Sequence, residues 1–274
     1  MMNLRNTTQM NRWCALAFFA TLVAAGWSVL PAAAQDTYPV WWSEKLELES
    51  LNQIDERLAL YFGEDRVVPA YHPRDRTRED VEMDSCVSID ELTAEGYSPS
   101  GRNNYERYLY FKAECNAIEL LKKAQPAARS FVRSFRLDQR SPDFLPVIIA
   151  LPVSSDYNCR MLLADKHRIP WSTFDEFESI KPIDETSASY TTPYDYVGLK
   201  ILALADFTGD GLEDILIRSH MSIRGGRHSP TVLFLLGRDT ANGVLYLLDP
   251  KDRESRGYTC KATYDEPAPL RGLE

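Results

Sequence analysis

Five oxygen-bearing positions in one short stretch of the chain could bind a hard cation. The side chains of Asp206, Thr208, Asp210 and Asp214 fall at positions 1, 3, 5 and 9 of this stretch, and the main-chain carbonyl of Leu212 falls at position 7. Calcium takes six to eight oxygen ligands, which proteins supply as carboxylates, main-chain carbonyls and bound waters. The residue types and their spacing therefore predict a Ca²⁺ site.

The residues on either side of this stretch indicate strands rather than helices. Residues 201–205 and 215–217 are apolar and partly β-branched, which favours buried strands. An EF-hand is excluded, because position 12 is Ile217 where that loop carries a bidentate Glu. Gly209 and Gly211 suit a tight bend between two strands. The sequence T-G-D-G also suits a hairpin turn that binds no metal, and this alternative stays open.

The strand–loop–strand pattern D-x-T-G-D-G-x-x-D resembles the calcium sites of FG-GAP and VCBS-type repeats in secreted and surface proteins. The resemblance covers only the residues around this loop. It implies that Asp206, Asp210, Asp214 and the carbonyl of Leu212 bind the ion. Thr208 stands where Asp or Asn is commoner in those families, which implies a lower affinity. The pattern occurs once, so a propeller or solenoid of such repeats is not expected.

The N-terminal segment has the three parts of a cleaved secretory signal. A basic start with Arg5 and Arg12 precedes the apolar run Trp13–Leu30, which small residues follow up to Ala34. We expect residues 1–34 to be a signal peptide and the mature protein to be periplasmic or extracellular in a bacterium. The apolar run is nearly long enough to span a bilayer, so an uncleaved anchor is the alternative.

Four cysteines lie beyond this signal, which predicts two disulfides in an exported protein. They are Cys86, Cys115, Cys159 and Cys260. Three pairings are possible, and Cys86–Cys115 with Cys159–Cys260 is preferred because each bridge then stays within one half of the chain. A metal-binding or catalytic thiol is the weaker alternative, since the sequence holds no C-x-x-C motif.

The composition is acidic, with 31 basic and 40 acidic residues. Residues 1–34 hold two arginines and no acidic residue, so the mature chain has 29 basic residues against 40 acidic ones and a net charge near −11. Such a surface repels nucleic acid and anionic lipid, and it favours cations or basic partners. We therefore expect no nucleic-acid partner and no membrane association after cleavage. A basic protein or a glycan is the candidate partner.

The hydrophobic patterning predicts an α+β fold. We expect a helical N-terminal half packed on a mainly antiparallel sheet from the C-terminal half, in a single exported domain of residues 35–274. The helix-rich part is 43–137 and the strand-rich part is 144–250. Helices are expected over 43–63, 105–123 and 127–137, and strands over 145–153, 198–205, 213–220, 231–237 and 244–248, with 64–84 a charged loop and 86–92 a short strand or turn.

A long irregular tract, residues 165–195, is the second candidate surface. Loops of this length are often lids or binding loops. The residues in it that could contact a ligand are His167, Trp171, Asp175, Glu176 and Glu178.

The sequence contains no recognisable catalytic motif. It has no G-x-S-x-G, no H-E-x-x-H and no phosphate-binding glycine motif, so an enzyme is not the leading interpretation. We expect an exported, non-catalytic binding or interaction protein with one structural calcium site. The alternatives are a cell-wall or glycan hydrolase that uses 165–195 as a lid, and a periplasmic inhibitor or assembly factor for a basic partner. The substrate, the partner and the oligomeric state stay open.

Overall fold

The computed structural model describes residues 37–63, 67–75, 80–150, 161, 164, 167–226 and 229–248. These residues belong to one compact unit of the chain, residues 36–274. The predicted signal peptide, residues 1–34, lies outside the described residues, and so does the predicted Cys159–Cys260 pairing. No helix in the described ranges has both the length and the apolar character needed to cross a membrane.

Helices and strands alternate along the first half of the chain, and strands dominate the second half. Short 3₁₀ turns lie at Glu44–Leu46, Leu51–Gln53, Ser141–Asp143 and Val147–Ile149. The other elements are β1 (Trp41–Trp42), α1 (Ile54–Ala59), β2 (Val68–Tyr71), β3 (Val81–Met83), α2 (Cys86–Ala94), β4 (Ser98–Pro99), α3 (Gly101–Leu121), α4 (Trp171–Phe174), β5 (Ser179–Asp184), β6 (Ser187–Thr191), β7 (Asp195–Ala205), β8 (Asp214–Ile223), β9 (Thr231–Gly237) and β10 (Tyr246–Leu247).

The main sheet is antiparallel and comes largely from the C-terminal half, as the sequence predicted. Its strand order is β10-β9-β8-β7-β6-β5, and β1 pairs with the end of β7. A second antiparallel sheet, in the order β3-β2-β4, lies in the N-terminal half. The expected strands at 198–205, 213–220, 231–237 and 244–248 correspond to β7, β8, β9 and β10. The α+β class is therefore confirmed.

Both faces of the main sheet are buried, which explains the continuous apolar sequences of its central strands. On one face Ile201 and Ile217 pack with the chain around Val147–Ile149 and with Trp171. On the other face Leu202 and Leu216 pack with the helices α1, α2 and α3. The register of β7 against β8 shifts between Ile201 and Ala203. The sheet thus forms the central layer, and the β7–β8 connection lies at one end of it.

The N-terminal half is less helical than predicted. The helix expected over 105–123 is confirmed as α3, but the charged loop expected at 64–84 contains β2 and β3. Residues 86–92 belong to α2 and not to a strand or turn. The Ser85 hydroxyl accepts the Ser88 N–H (3.1 Å), and the Ser88 hydroxyl accepts the Ser85 N–H (2.9 Å). This pair is a capping box, and α2 begins there. This cap uses Ser at a position where Glu or Gln is the usual signal.

Two further helix predictions fail, one over part of its length and one over all of it. Residues 43–63 form only α1 and two 3₁₀ turns, with Glu47 in the left-handed region (φ 53°). Residues 127–137 form no helix, because their main chain pairs with distant segments. Ala127 N–H donates to Tyr38 O (3.0 Å), and Tyr38 N–H donates to Ala127 O (2.8 Å). Main-chain hydrogen bonds to distant segments thus take the place of the hydrogen bonds that a local helix would make.

The predictions for 145–153 and 165–195 differ from the structure, although the burial expected for 145–150 is confirmed. The expected strand at 145–153 contains a buried 3₁₀ turn, Val147–Ile149, and residues 151–153 lie outside the described part. Residues 165–195 are not an irregular tract, because most of their described positions belong to α4, β5, β6 and the start of β7. This segment therefore does not form the expected lid over a cleft.

Candidate cation site in the β7–β8 hairpin

The predicted cation-binding residues lie in the connection between two paired central strands. Ala205 at the end of β7 pairs with Asp214 at the start of β8. The side chains of Asp206 and Asp214 are almost fully buried, with exposures of 4% and 1%. Thr208 and Asp210 lie on the exposed side of the loop. The hairpin therefore places two carboxylates beneath its surface and two oxygen-bearing side chains above them.

Asp206 holds the loop in its bent conformation. One carboxylate oxygen accepts the Gly209 N–H (2.6 Å), and the other accepts the Gly211 N–H (2.8 Å). Both glycines have positive φ angles, 80° and 81°, which favour glycine because other L-residues are strained there. The two glycines that the sequence places next to the acids are thus required by the backbone of the bend.

Asp214 on the buried side of the loop and Thr208 on its exposed side approach each other. Asp214 Oδ2 accepts the Phe207 N–H at 3.0 Å. The Thr208 hydroxyl lies 3.5 Å from Asp206 Oδ1 and 3.5 Å from Asp214 Oδ2, so it sits between the two buried carboxylates. Three oxygen atoms, one from each of three side chains, are consequently concentrated in one small volume.

The charges in the loop are not balanced by basic side chains. Burial, together with the negative charges of Asp210 and Asp206, raises the pKa of Asp214 to about 7, although the Phe207 N–H opposes the shift. Among the described residues, no Lys, Arg or His forms an ion pair with Asp206, Asp210 or Asp214. A buried carboxylate without a cation is costly. A proton or an added cation would relieve part of this cost.

The donor types fit a hard cation, but the three carboxylates do not converge on one centre. The described part of the chain holds no group of three or more His, Cys, Asp or Glu residues arranged to hold a metal ion. Asp210 is turned to the loop backbone, where Oδ1 accepts the Leu212 N–H (2.8 Å). The oxygens that lie together are those of Asp206, Asp214 and Thr208.

A segment that sequence reasoning assigned to a helix supports the hairpin from outside. Asp206 and Gln125 exchange main-chain hydrogen bonds of 2.9 and 3.0 Å. Gly211 O accepts the N–H groups of Ala128 (2.9 Å) and Arg129 (3.1 Å). The loop is thereby fixed at both ends by the chain that follows α3. The sequence carries no local signal for these contacts, because the partners lie more than eighty positions apart.

An ion pair between a buried acid and a partly exposed arginine anchors the same support. Glu213, with 1% exposure, accepts a hydrogen bond from the Ser130 hydroxyl (2.6 Å) and pairs with Arg133. Burial raises the pKa of Glu213, while Ser130 and Arg133 act in the opposite direction. Glu213 N–H also donates to Arg129 O at 2.9 Å. The residue between Leu212 and Asp214 is therefore a structural anchor and not a ligand.

The second candidate surface, at 165–195, does not form one site. Trp171 is fully buried, packs against Tyr190 and donates its ring N–H to Asp175 (2.8 Å). Glu178 pairs with Arg224 at 2.7 Å. These residues are used in packing and in surface ion pairs. The remaining two predicted contact residues, His167 and Glu176, are exposed.

One of the two predicted disulfides lies within the described residues and is confirmed. Cys86 at the start of α2 is bonded to Cys115 in α3, with an S–S distance of 2.03 Å and 29 positions between them in the chain. The bridge joins the two helices that cover one face of the main sheet.

Two features of the hairpin bear on function. One is a pair of buried carboxylates with no basic partner among the described residues, and the other is a frame that fixes the loop backbone. Scans of the chain against protein-family models, curated proteins and solved structures find no match.

Proposed function

We propose that this chain is an exported, non-catalytic binding protein whose β7–β8 hairpin binds a structural Ca²⁺ ion. The observation that carries the proposal is the state of Asp214. The residue is 1% exposed, and its pKa is raised to about 7 by burial and by the negative charges of Asp210 and Asp206. A divalent cation would neutralise these groups together, which a single proton cannot do.

The residues that would hold the ion are those that the loop already presents. Asp206 and Asp214 would supply carboxylate oxygens, Thr208 its hydroxyl and Leu212 its main-chain carbonyl. Asp210 would join after giving up the Leu212 N–H, which costs little because its side chain is exposed. The bound ion would supply positive charge to carboxylates from both ends of the hairpin.

The disulfide supports the export part of the proposal. Disulfides persist in oxidising compartments and are rare in reducing cytoplasm. The Cys86–Cys115 bond is buried between α2 and α3. Together with the signal-like N-terminal sequence, it favours the periplasm or the exterior of a bacterium. The acidic composition is compatible with a basic partner. The hydrolase alternative was based on reading residues 165–195 as an irregular lid. It loses this support, because most of the described residues in that range belong to packed elements.

Calcium titration of the melting temperature tests the proposal. We expect the purified mature protein to melt at a higher temperature in millimolar Ca²⁺ than in chelator, since a ligand that binds only the folded state stabilises it. The Asp210→Asn variant should lose most of this increase. Asp90→Asn, the same change on an exposed residue of α2, should keep it.

The same titration separates calcium binding from a general salt effect. Mg²⁺ at equal concentration should stabilise the protein less, because it demands a tighter octahedral arrangement and gives up its waters reluctantly. Melting curves that coincide in chelator, Ca²⁺ and Mg²⁺ would contradict the proposal. The hairpin would then be a turn that needs no metal.

A further inference from the structure

A cleft of about 540 Å³ lies between helix α3 and the neighbouring part of the main sheet. One wall is a single face of α3 that includes Leu109 and Leu120. The floor is formed by Leu233 and Leu235 of β9, and Leu247 of β10 lies at the edge. Protein sites for small organic ligands are clefts of about 300–1,000 Å³ with mostly apolar walls and a few polar groups. The cleft has this size and this composition.

The leucines in the cleft are incompletely covered. Leu109, Leu120, Leu233 and Leu235 pack against the buried core but remain half-exposed on the cleft side. Apolar side chains that are contiguous and rimmed by polar residues mark ligand grooves more often than scattered ones do. An apolar ligand would remove these surfaces from water.

The polar rim of the cleft is positive, although the chain as a whole is acidic. Lys112 and Lys123 line it, and within the described residues neither forms an ion pair. The Lys112 ammonium already donates to the Tyr108 hydroxyl (3.1 Å) and lies over that ring. Lys123 has no such contact among the described side chains. Glu119 is the acidic residue that lines the cleft, and it forms an ion pair with Lys122 (2.9 Å).

Eleven positions separate Lys112 from Lys123, which corresponds to about 16 Å along a helix axis. Leu120 lies between the two lysines in the sequence, and Leu109 precedes Lys112. Lys123 lies just beyond the last residue of α3 and marks one end of the cleft. The cleft thus offers an elongated apolar surface with an uncompensated positive charge at its end.

From this arrangement we propose that the cleft binds a long-chain carboxylate, with its alkyl chain on the leucines and its carboxylate on Lys123. A cationic or neutral amphiphile of equal length would lack the favourable charge interaction. The inference is independent of calcium at the β7–β8 hairpin, because none of the cleft residues belongs to that loop. It assigns the chain a small-molecule ligand.

Calorimetric titration of the full mature chain with laurate tests the inference, and dodecyltrimethylammonium is the matched probe of opposite charge. We expect saturable binding of laurate at one site and much weaker binding of the cationic probe. The titrations should be run in chelator, because Ca²⁺ precipitates laurate as a calcium soap. Calcium binding is measured in the separate melting experiment, so that a failure of calcium binding and a failure of laurate binding are seen separately.

Two exposed lysines provide the matched variants. Lys123→Met should weaken laurate binding by roughly fivefold, the value of one partly exposed charge pair. Lys181→Met should leave it unchanged, since Lys181 is exposed on β5 and does not line the cleft. Asn116→Trp, at an exposed position of α3 that lines the cleft, should fill the space and abolish binding.

Three results would overturn the inference. One is a full chain that binds no laurate, as it would if another part of the chain or a second copy covered the cleft. The second is equal binding of the two probes, which would indicate non-specific adsorption. The third is an Asn116→Trp variant that folds with an unchanged melting temperature and still binds laurate with the original affinity.

Discussion

Replacing Asp214 by Asn is expected to stabilise the metal-free protein, which is unusual for a change at a buried position. Asn keeps an oxygen that can accept the Phe207 N–H (3.0 Å in the structure) and removes the negative charge. The gain arises because ionised Asp214 is buried beside Asp206 and Asp210. The same change should remove most of the response to Ca²⁺, since the ion loses a buried ligand.

The magnitude follows from the pKa of Asp214. Folding raises it from 3.8 to about 7, and each unit corresponds to about 1.4 kcal/mol. An acid with a raised pKa in the folded state holds its proton more tightly when folded. Its contribution to stability is therefore fully present below about pH 4 and is lost as the pH rises to about 7. The loss is at most about 4 kcal/mol, and local relaxation makes about 2–4 kcal/mol the expected range.

Urea unfolding in chelator measures this difference directly. At about pH 8 the Asp214→Asn variant should be more stable than the wild type by about 2–4 kcal/mol, whereas at about pH 4 the two should agree within about 0.5 kcal/mol. Asp90→Asn is the control, because Asp90 is exposed on α2. A hundredfold excess of Ca²⁺ over its dissociation constant should add about 2.7 kcal/mol to the wild type.

A variant that is less stable than the wild type by the same margin at both pH values would refute the reasoning. Asp214 would then be ionised and compensated in the metal-free protein, so its burial beside two charges would carry no cost. The argument that the hairpin binds a cation would then fail as well.

The remaining predictions concern the supports of the site. Replacing Cys86 and Cys115 together by Ala should lower the unfolding free energy in urea by about 3–4 kcal/mol, because a bridge across 29 positions restricts the unfolded chain. Gly211→Ala should cost about 1–2 kcal/mol in the same assay, since φ is 81° there. Arg133→Met should lower the unfolding free energy by about 2 kcal/mol, because Glu213 loses the arginine with which it is paired. Adding the change Glu213→Gln should restore part of this loss.

The C-terminal strands were predictable because their signals are local. Each of β7, β8 and β9 contains an unbroken apolar run (residues 201–205, 215–217 and 232–236), and a glycine-rich bend separates β7 from β8. A strand that is buried on both faces needs no alternation of polar and apolar residues, so an unbroken apolar run is sufficient. The order and spacing of these runs therefore predicted an antiparallel sheet.

The chain that supports the hairpin was not predictable by the same means. Residues 127–137 have helical spacing of their apolar positions, yet Ala127 pairs with Tyr38 and Arg129 with Gly211. Those partners are far away in the sequence, and no window around 127–137 contains them. The α2 helix was missed for a smaller reason, because its capping box uses Ser88 instead of an acidic residue or an amide.

The backbone of the hairpin needs no ion to hold its shape. Asp206 accepts two N–H groups of the loop, two glycines take the required φ angles, and the segment after α3 hydrogen-bonds both ends. An ion would therefore contribute little to the shape of the bend. Its contribution would be to neutralise charge that the fold has already concentrated. The acids of this loop are thus better described as negative charges that a pre-formed turn brings together and that a cation would neutralise. They are less well described as a clamp that closes around calcium.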